Sequence, residues 1–300
     1  MKLETVTHAT APTMDTHAPT WATTPADDRH AALPIPLPRD ARLYQIATLA
    51  GLLGYGVVRL DFDVAPITIA VVVATALATQ LLCARLLDGS RFDPRSALIS
   101  ALSLCLLLRT GSLALTMLAA VLAIASKFAI RIRGKHVFNP TNFALVAMML
   151  ASGDVWVSPG QWGSGAIFAF LMASAGALVV SRAARADVTC AFLASYAGLQ
   201  IARALWLGDP LAIPLHRLEN GALVLFAFFM ISDPRTTPDS RAGRLIFAGL
   251  VAAGAYVVQF TLFRTNGLLW SLAACSLVVP LIDRLLPGPR FRWTAGRRTR

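Results

Sequence analysis

Charged residues are scarce in this chain of 300 residues. They make up only 14% of it, whereas 56% of the residues are hydrophobic and the mean hydropathy is +0.62. Soluble domains carry about 25% charged residues, so this composition excludes an ordinary soluble domain of such a length. The sequence therefore predicts an integral membrane protein.

Cysteine and histidine are also rare, and their spacing excludes the usual metal and redox motifs. Each cysteine stands alone in an apolar stretch, with no Cys-x-x-Cys pair and no histidine at ligand spacing. We therefore expect small buried thiols and no metal site. No nucleophile and base occur in a recognisable arrangement, so we predict no catalytic residue and do not expect an enzyme on its own. The cysteines are Cys83, Cys105, Cys190 and Cys275.

The two ends of the chain have little apolar sequence, and we predict that they lie outside the membrane domain. Residues 1–40 lack the apolar core of a secretory signal and are rich in threonine and proline. They are predicted to form a disordered cytoplasmic arm, with a docking peptide as the alternative. Residues 287–300 form an arginine-rich tail that we expect on the cytoplasmic side, against anionic lipid head groups.

The membrane domain, residues 41–286, contains about ten apolar segments. A full helical crossing of a bilayer needs about 20 residues, and most of the segments come near that length. They are residues 43–58, 65–86, 96–108, 112–130, 142–152, 165–181, 188–207, 221–231, 245–263 and 268–285.

The basic residues alternate between the two sides of such a ten-span protein. The loops of one side carry only Arg59, Arg109, Arg217 and Arg264, Arg203 falls within a span, and all the other lysines and arginines fall on the opposite side or in the termini. The positive-inside rule then places both termini in the cytoplasm and the chain in the cell inner membrane. Because this rule accounts for the formal charge of +11, no nucleic-acid partner is predicted.

Two segments that are too short to cross a bilayer stop at polar sequence that disfavours helix, and the fifth segment, 142–152, is short too. Segment 96–108 stops at Arg109, and segment 221–231 stops at residues 232–238, a run that includes two prolines. Each spans about half a bilayer, and non-helical backbone at membrane depth persists only where protein buries it or water reaches it. Paired breaks of this kind predict a binding or conduction site at the midplane.

The order of full and truncated segments is the same in two halves of the chain, about residues 42–152 and 164–286. With five segments per half, a repeated second half would be inverted in the membrane. We therefore predict an all-α polytopic fold of about ten transmembrane helices, in two inverted five-helix repeats with broken third helices.

Polar residues beside the breaks are the candidate ligand residues. Asp233 and Thr237 can cap a following helix or satisfy freed amides, and Asn139 fits the N-cap of the fifth segment, so capping alone is one explanation. The alternative is that inward-pointing helix N-termini, helped by Lys135 and Asn142, form a positive pocket for an anionic or electron-rich ligand.

Arg109 and Asp233 are the ionisable residues nearest the two breaks. A charge at that depth is costly unless it is paired or hydrated. If the inverted halves bring the breaks together, these side chains would pair, which is a structural role. The alternative is that they contact a ligand, an ion or a flavin.

Four short motifs, in this order, resemble the NqrB/RnfD family, the membrane subunits of the sodium-pumping NADH:quinone reductase and of the Rnf electron-transport complex. They are Gly-Lys-His-Val-Phe-Asn-Pro at 134–140, Ser-Pro-Gly-Gln-Trp-Gly at 158–163, Ser-Asp-Pro at 232–234 with Gly-Arg at 243–244, and Val-Pro-Leu-Ile-Asp at 279–283. The resemblance covers most of residues 42–286. It implies a ten-helix inverted-repeat architecture, membrane partner subunits, and a role associated with electron and ion transport.

The same resemblance implies that this chain carries no covalent flavin. Family members that carry electrons attach FMN to a threonine in a Ser/Thr-Gly-Ala-Thr loop between the fifth and sixth segments. Here residues 153–163 contain no threonine, and the nearest string, residues 164–167, ends in Ile167, whose alkyl side chain cannot form a phosphoester. In this respect the chain is similar to the shorter, standalone relatives called UnbU.

Three functions of different classes remain open. The first is a membrane subunit of an electron-transport system that binds a small ligand, with a non-covalent flavin as one candidate, between the inverted halves. The second is a transporter or channel that passes an ion or small solute through the same breaks without electron transfer. The third is a scaffold for partner subunits, in which the break residues would matter only for stability.

Overall fold

The computed structural model describes residues 40–88, 92–158, 176–177 and 185–291. Most of the predicted cytoplasmic arm, most of the motif at 158–163, the string 164–167, most of the sixth segment (165–181) and residues 292–300 lie outside the described residues. Within them the chain is built mainly of helices joined by short turns.

The described part of the first half consists of helices whose first turns are capped by side chains. Asp40, Asp93, Ser112 and Asn139 each accept a hydrogen bond from a backbone N–H of the helix that follows, as residues at N-caps commonly do. The helices are α1 (Ala41–Arg59), α2 (Pro66–Cys83), which continues in a π-helical turn (Ala84–Asp88), α3 (Pro94–Leu107), α4 (Leu113–Ala129) and α5 (Pro140–Ala151).

The second half follows the same local rules with one sharp bend. α6 stops at Gly208, whose φ of 72° is left-handed and suits glycine. The last two helices together form a span bent by 48°, with Pro280 in the first turn of the second of them. The helices are α6 (Ala186–Leu207), α7 (Ala212–Leu218), α8 (Gly221–Leu225), which continues in a π-helical turn (Phe226–Met230), α9 (Arg241–Phe260), α10 (Gly267–Ser276) and α11 (Val279–Leu285).

Two pairs of short antiparallel strands join the helix ends. β1 (Leu108–Arg109) pairs with β4 (Trp156–Val157), and β2 (Arg131–Ile132) pairs with β3 (Lys135–His136). The turn between β2 and β3 has φ values of 52° at Arg133 and 77° at Gly134. Two positive φ values are what a tight type I′ hairpin requires.

The two predicted breaks are confirmed as helix ends. α3 stops at Leu107, and the chain enters β1 at the residue before Arg109. The helical segment that starts at Gly221 stops at Met230, one residue before the polar run. The fifth helix begins at Pro140 with Asn139 as its N-cap, so the segment predicted from residue 142 starts two residues earlier. The short helix α7 was not predicted.

Three of the described helices are long and apolar enough to cross a membrane, or four if the bent pair of α10 and α11 counts as one span. The other apolar helices are shorter than a full crossing, because polar residues such as Arg109 and Ser232 end them early. The fold is thus that of a helical membrane protein, whereas the predicted count of ten spans is not confirmed.

The helices run between two opposite faces of the described structure. We call one end the basic face; it carries Arg42, Arg95, Lys135 and Arg244, which form ion pairs there. At the opposite face Arg217 and Arg264 line one cavity together with Val157 of β4 and Leu107, the residue before β1.

In each half, one pair of packed helices runs in the same direction. α2 and α4 both start near Arg109, because Thr68 and Thr116 line one small cavity with it. α6 and α9 both start at the basic face, where Arg244 pairs with Asp187, at 2.6 Å. The first pair therefore runs toward the basic face and the second pair away from it.

Candidate functional site

The second break faces a small cavity at the start of α5, which we call the break cavity. It has a volume of about 70 Å³ and lies between the ends of α3, α4 and α5 and the polar run after α8. The polar residues that line it are Arg42, Gln45, Ser96, Ser100, Ser103, Lys127, His136, Asn139, Thr141, Ser232, Asp233 and Arg235. A buried space with this many polar groups suits water or a small ion.

Asn139 connects α5 to the second break. Its side-chain Oδ1 accepts a hydrogen bond from the backbone N–H of Asn142, at 3.1 Å, which caps the helix as predicted. Its Nδ2 donates across to the carbonyl oxygen of Met230 and to the carboxylate of Asp233, each at 3.4 Å. A single cap residue therefore places the first turn of α5 against the carboxylate of the break.

Asp233 organises the turn that follows α8. Its carboxylate accepts a hydrogen bond from the N–H of Arg235, at 3.0 Å, and its carbonyl oxygen accepts one from the hydroxyl of Thr237, at 3.1 Å. Burial raises the pKa of the Asp233 carboxyl above its ordinary value, and the nearby charges of Arg235, Lys127 and Arg185 oppose that rise only in part. The charged form of Asp233 therefore depends on the cations around it.

Lys127 is the cation that sequence reasoning missed. It lies in the last turn of α4, is only 4% exposed, and donates to the carbonyl oxygen of Ser96, at 2.8 Å, and to its hydroxyl, at 3.2 Å. Asp233 and Asp93 are the carboxylates whose charges act on its ammonium group. A lysine near the end of an apolar helix is usually taken as a residue reaching for solvent, and only the packing of α3 against α4 shows that it is enclosed.

Two of the predicted ligand residues lie at other places. Lys135 donates to the carboxylates of Asp239, at 3.0 Å, and Asp283, at 2.6 Å, and Asp283 also accepts from the backbone N–H of Asp239. We call these three residues the lysine clasp. Asn142 is fully buried and donates to the carbonyl oxygen of Leu269 in α10, at 3.2 Å, while its Oδ1 has no hydrogen-bond partner among the described residues.

Arg109 and Asp233 do not meet, so the pair that they would form if the two breaks came together is absent from the described structure. The guanidinium of Arg109 stacks on the ring of Phe62 and donates to the carbonyl oxygens of Cys105 and Leu108 in its own chain segment. It lines a separate small cavity with Asp63. The reason is that α3 ends at the opposite face, whereas α8 and its π-helical turn end at the basic face.

A flavin does not fit the break cavity. Pockets for cofactor-sized ligands have volumes of about 300–1,000 Å³, several times the volume of about 70 Å³ found at Asp233. The string 164–167, where the covalent threonine would be sought, lies outside the described residues. Among the residues described, no group of three or more His, Cys, Asp or Glu side chains is arranged to hold a metal ion.

The cysteines are free thiols, but one prediction about them is wrong. Cys83 and Cys105 are buried, and Cys275 is partly buried. Cys190 is exposed on α6. None of them lines the break cavity.

Taken together, these helices and the buried polar cavity at a helix break define a helical membrane protein with an internal polar site. Residues 153–291 match the model of the family described as NQR2, RnfD, RnfE, so this part of the chain, a little under half of it, is similar to that family. The matched residues include the second break and the bent last span.

The relatives found by comparison are subunits of larger assemblies. A D-type subunit of the ion-translocating oxidoreductase complex, from Tolumonas auensis, is 37% identical over 73 residues, which is 24% of this chain and 21% of the relative. The proteins of the same description from Citrobacter koseri and Escherichia coli O7:K1 are each 29% identical over 136 residues, 45% of this chain and 36% of the relative. The chain therefore matches about a third or less of the length of these relatives.

Proposed function

We propose that this chain is a multi-pass inner-membrane subunit associated with ion-translocating electron transport, and that a small cation or proton interacts with it at the break cavity. The observation that carries the proposal is the meeting of a buried lysine, Lys127, with the carboxylate of Asp233 and the cap of α5 in one polar cavity. The names of the relatives support the kind of assembly that is proposed, because each relative is a subunit of an ion-translocating oxidoreductase complex.

The chemistry of the cavity favours a small hard ligand. Asp233, the serine hydroxyls and the carbonyl oxygen of Met230 offer oxygen ligands, which suit monovalent cations and protons. In the absence of such a ligand, the positive charges of Arg235, Lys127 and Arg185 favour the charged form of Asp233. A bound cation would therefore compete with these side chains for the carboxylate.

Inverted repeats are part of the proposal. The supporting observations are that α2 and α4 run toward the basic face whereas α6 and α9 run away from it, and that α5 contacts α10 through Asn142 and Leu269. In that arrangement each half contributes one interrupted helix. The break of the first half lies at the opposite face, and the break of the second half lies at the basic face. The basic face would be cytoplasmic, in keeping with the positive-inside rule.

Ion uptake by sealed inverted vesicles tests the proposal. The chain is expressed with its native membrane partners, the vesicles are energised with a respiratory reductant such as NADH, and sodium and proton uptake are followed. Asp233→Asn keeps the size of the side chain and removes its charge. We expect uptake to fall about tenfold or more, as for the loss of an interaction worth about 1.4 kcal/mol or more.

The matched control is Asp209→Asn, which removes a carboxylate that pairs with Arg203 far from the break cavity. The control should leave uptake unchanged. Equal uptake by the Asp233→Asn variant and the unmodified chain would overturn the proposal. Uptake driven by an imposed ion gradient in liposomes that hold this chain alone would instead favour a transporter without electron transfer.

A further inference from the structure

A second, larger cavity lies at the basic face, and nothing in the proposed function uses it. It has a volume of about 420 Å³ and lies between the β2–β3 hairpin and α11, where the last span bends by 48°. We call it the arginine groove. The residues that line it include Ile132, Arg133, Lys135, His136, Asp239, Val279, Pro280, Leu281, Asp283, Arg284, Gly288 and Arg290.

The carboxylates of the groove are already engaged. Asp239 and Asp283 both accept hydrogen bonds from Lys135 in the lysine clasp, and Asp283 also accepts one from the N–H of Asp239. The two carboxylates outnumber the one ammonium group of the clasp, so they lower the positive potential of the groove. The three arginines that line the same groove still leave its net charge positive.

Two of those arginines keep their positive charge without a carboxylate partner. Within the part of the chain that the structure describes, the salt bridges include neither Arg133 nor Arg284, and both side chains are exposed. The guanidinium of Arg290 donates to the carbonyl oxygen of Arg133, at 2.7 Å, which holds these two residues near each other. Three guanidinium groups in one groove attract a phosphate group.

One wall of the groove is apolar. Ile132 is 47% exposed and Leu281 is 54% exposed, and Val279 and Pro280 line the same space. A free phosphate makes no favourable contact with an apolar wall, whereas a phospholipid presents a phosphate head group and hydrocarbon chains together. The bend between α10 and α11 brings both kinds of surface to one place on a membrane-embedded chain.

We propose that the arginine groove binds an anionic phospholipid, with its phosphate head group against Arg133, Arg284 and Arg290 and its hydrocarbon along Ile132 and Leu281. Basic pockets on the cytoplasmic side of membrane proteins recognise anionic lipid head groups in this way. The bound lipid would contact the hairpin of the first half and the last helix of the second half, next to the lysine clasp.

Thermal unfolding and native mass spectrometry of the detergent-purified full chain test this site. The chain is titrated separately with short-chain phosphatidylglycerol, phosphatidylcholine and inorganic phosphate. We expect phosphatidylglycerol to raise the unfolding temperature and to appear as a bound lipid, and phosphatidylcholine and phosphate to do neither. Phosphate that stabilised the chain as well as the lipid would overturn the proposal.

The test variant is Arg133→Asn with Arg284→Gln, since asparagine tolerates the φ of 52° at position 133. We expect it to bind phosphatidylglycerol about 10- to 30-fold more weakly, as for the loss of two basic residues at a lipid surface. Arg284→Gln alone gives a smaller loss in the same direction if the double variant folds poorly.

The matched control is Arg85→Ala with Arg241→Ala, which removes two exposed arginines that do not line the groove. It should bind the lipid like the unmodified chain. Equal weakening in the control would show that only the total positive charge matters, and unchanged binding by the test variant would show that the lipid lies elsewhere. Either result overturns the proposal.

Discussion

Asn142 uses only part of its hydrogen-bonding capacity within the described structure. Its Nδ2 donates to Leu269 in α10, but its Oδ1 is buried without a partner among the described residues. An unsatisfied buried acceptor costs about 1–3 kcal/mol, whereas one hydrogen bond contributes about 1 kcal/mol net. The amide at this position is therefore no more stabilising than an apolar side chain of similar size.

We expect Asn142→Leu to unfold within a few degrees of the unmodified chain in a detergent thermal scan. The free energy lost with the hydrogen bond should nearly equal the free energy gained by removing the unsatisfied acceptor. Asn142→Asp places a charge at the same buried point and should lower the unfolding temperature clearly. If the leucine variant is stable but loses ion uptake in vesicles, the amide has a functional role. If the leucine variant unfolds far earlier, the hydrogen bond to Leu269 outweighs the cost of the orphan acceptor.

Residues whose role is local were predictable from sequence. Asn139 acts as the predicted N-cap, and Thr237 bonds to the backbone of Asp233 as expected for a residue that satisfies a broken helix end. Such bonds join residues within a few positions of each other, so the sequence contains both partners. The buried position of Lys127 was not predictable, because it depends on Ser96, which lies 31 positions away.

At the scale of elements, close packing of α9 against α10 depends on a glycine. A side chain at Gly254 would overlap the hydroxyl of Ser271, which donates to the carbonyl oxygen of Val251 at 2.7 Å. Small residues at such positions let two membrane helices approach closely and pack without voids. Gly249 lies on the same helix with open space around it.

We expect Gly254→Val to destabilise the chain by about 1–3 kcal/mol, the usual cost of overpacking a tight contact. Gly249→Val is the control and should have much less effect, since both variants place the same β-branched residue in the same helix. Reversible unfolding of the detergent-solubilised chain measures both. Equal losses would mean that helix propensity, and not the contact with α10, sets the cost.

The helix ends were predictable, whereas the packing of helices was not. Polar or proline-containing sequence marks the ends of α3 and α8, and the prediction was correct to within one residue. The bend between α10 and α11 was missed, because the apolar pattern of residues 268–285 continues through it. The apolar pattern shows that a segment can lie in the membrane, but it does not show where the helix axis bends.

At the scale of the whole molecule, the lysine clasp ties the two halves together. Lys135 comes from the hairpin after α4, Asp239 precedes α9, and Asp283 lies in α11. The three side chains are only 10–17% exposed, so the two carboxylates would repel each other strongly without the lysine. Lys135 and its two partners lie 104 and 148 positions apart in the chain.

We expect Lys135→Met to destabilise the chain by about 2–4 kcal/mol, because it leaves two partly buried carboxylates without their cation. Adding Asp283→Asn to that variant should restore part of the loss by removing one of the two charges. Denaturant or thermal unfolding of the single and double variants measures the coupling. A double variant that is less stable than Lys135→Met would show that the clasp does not hold the halves.

The sequence by itself determined the class of the protein and the points where its helices stop. Hydropathy, caps and prolines act between near neighbours or over a single segment, so they can be read in order along the chain. Only the tertiary structure decided that Asp233 lies with Asn139 and Lys127, that Arg109 lies at the other face, and that Lys135 belongs to a clasp. These outcomes depend on which helix ends share a face, and that is set by packing directions that a one-dimensional pattern does not contain.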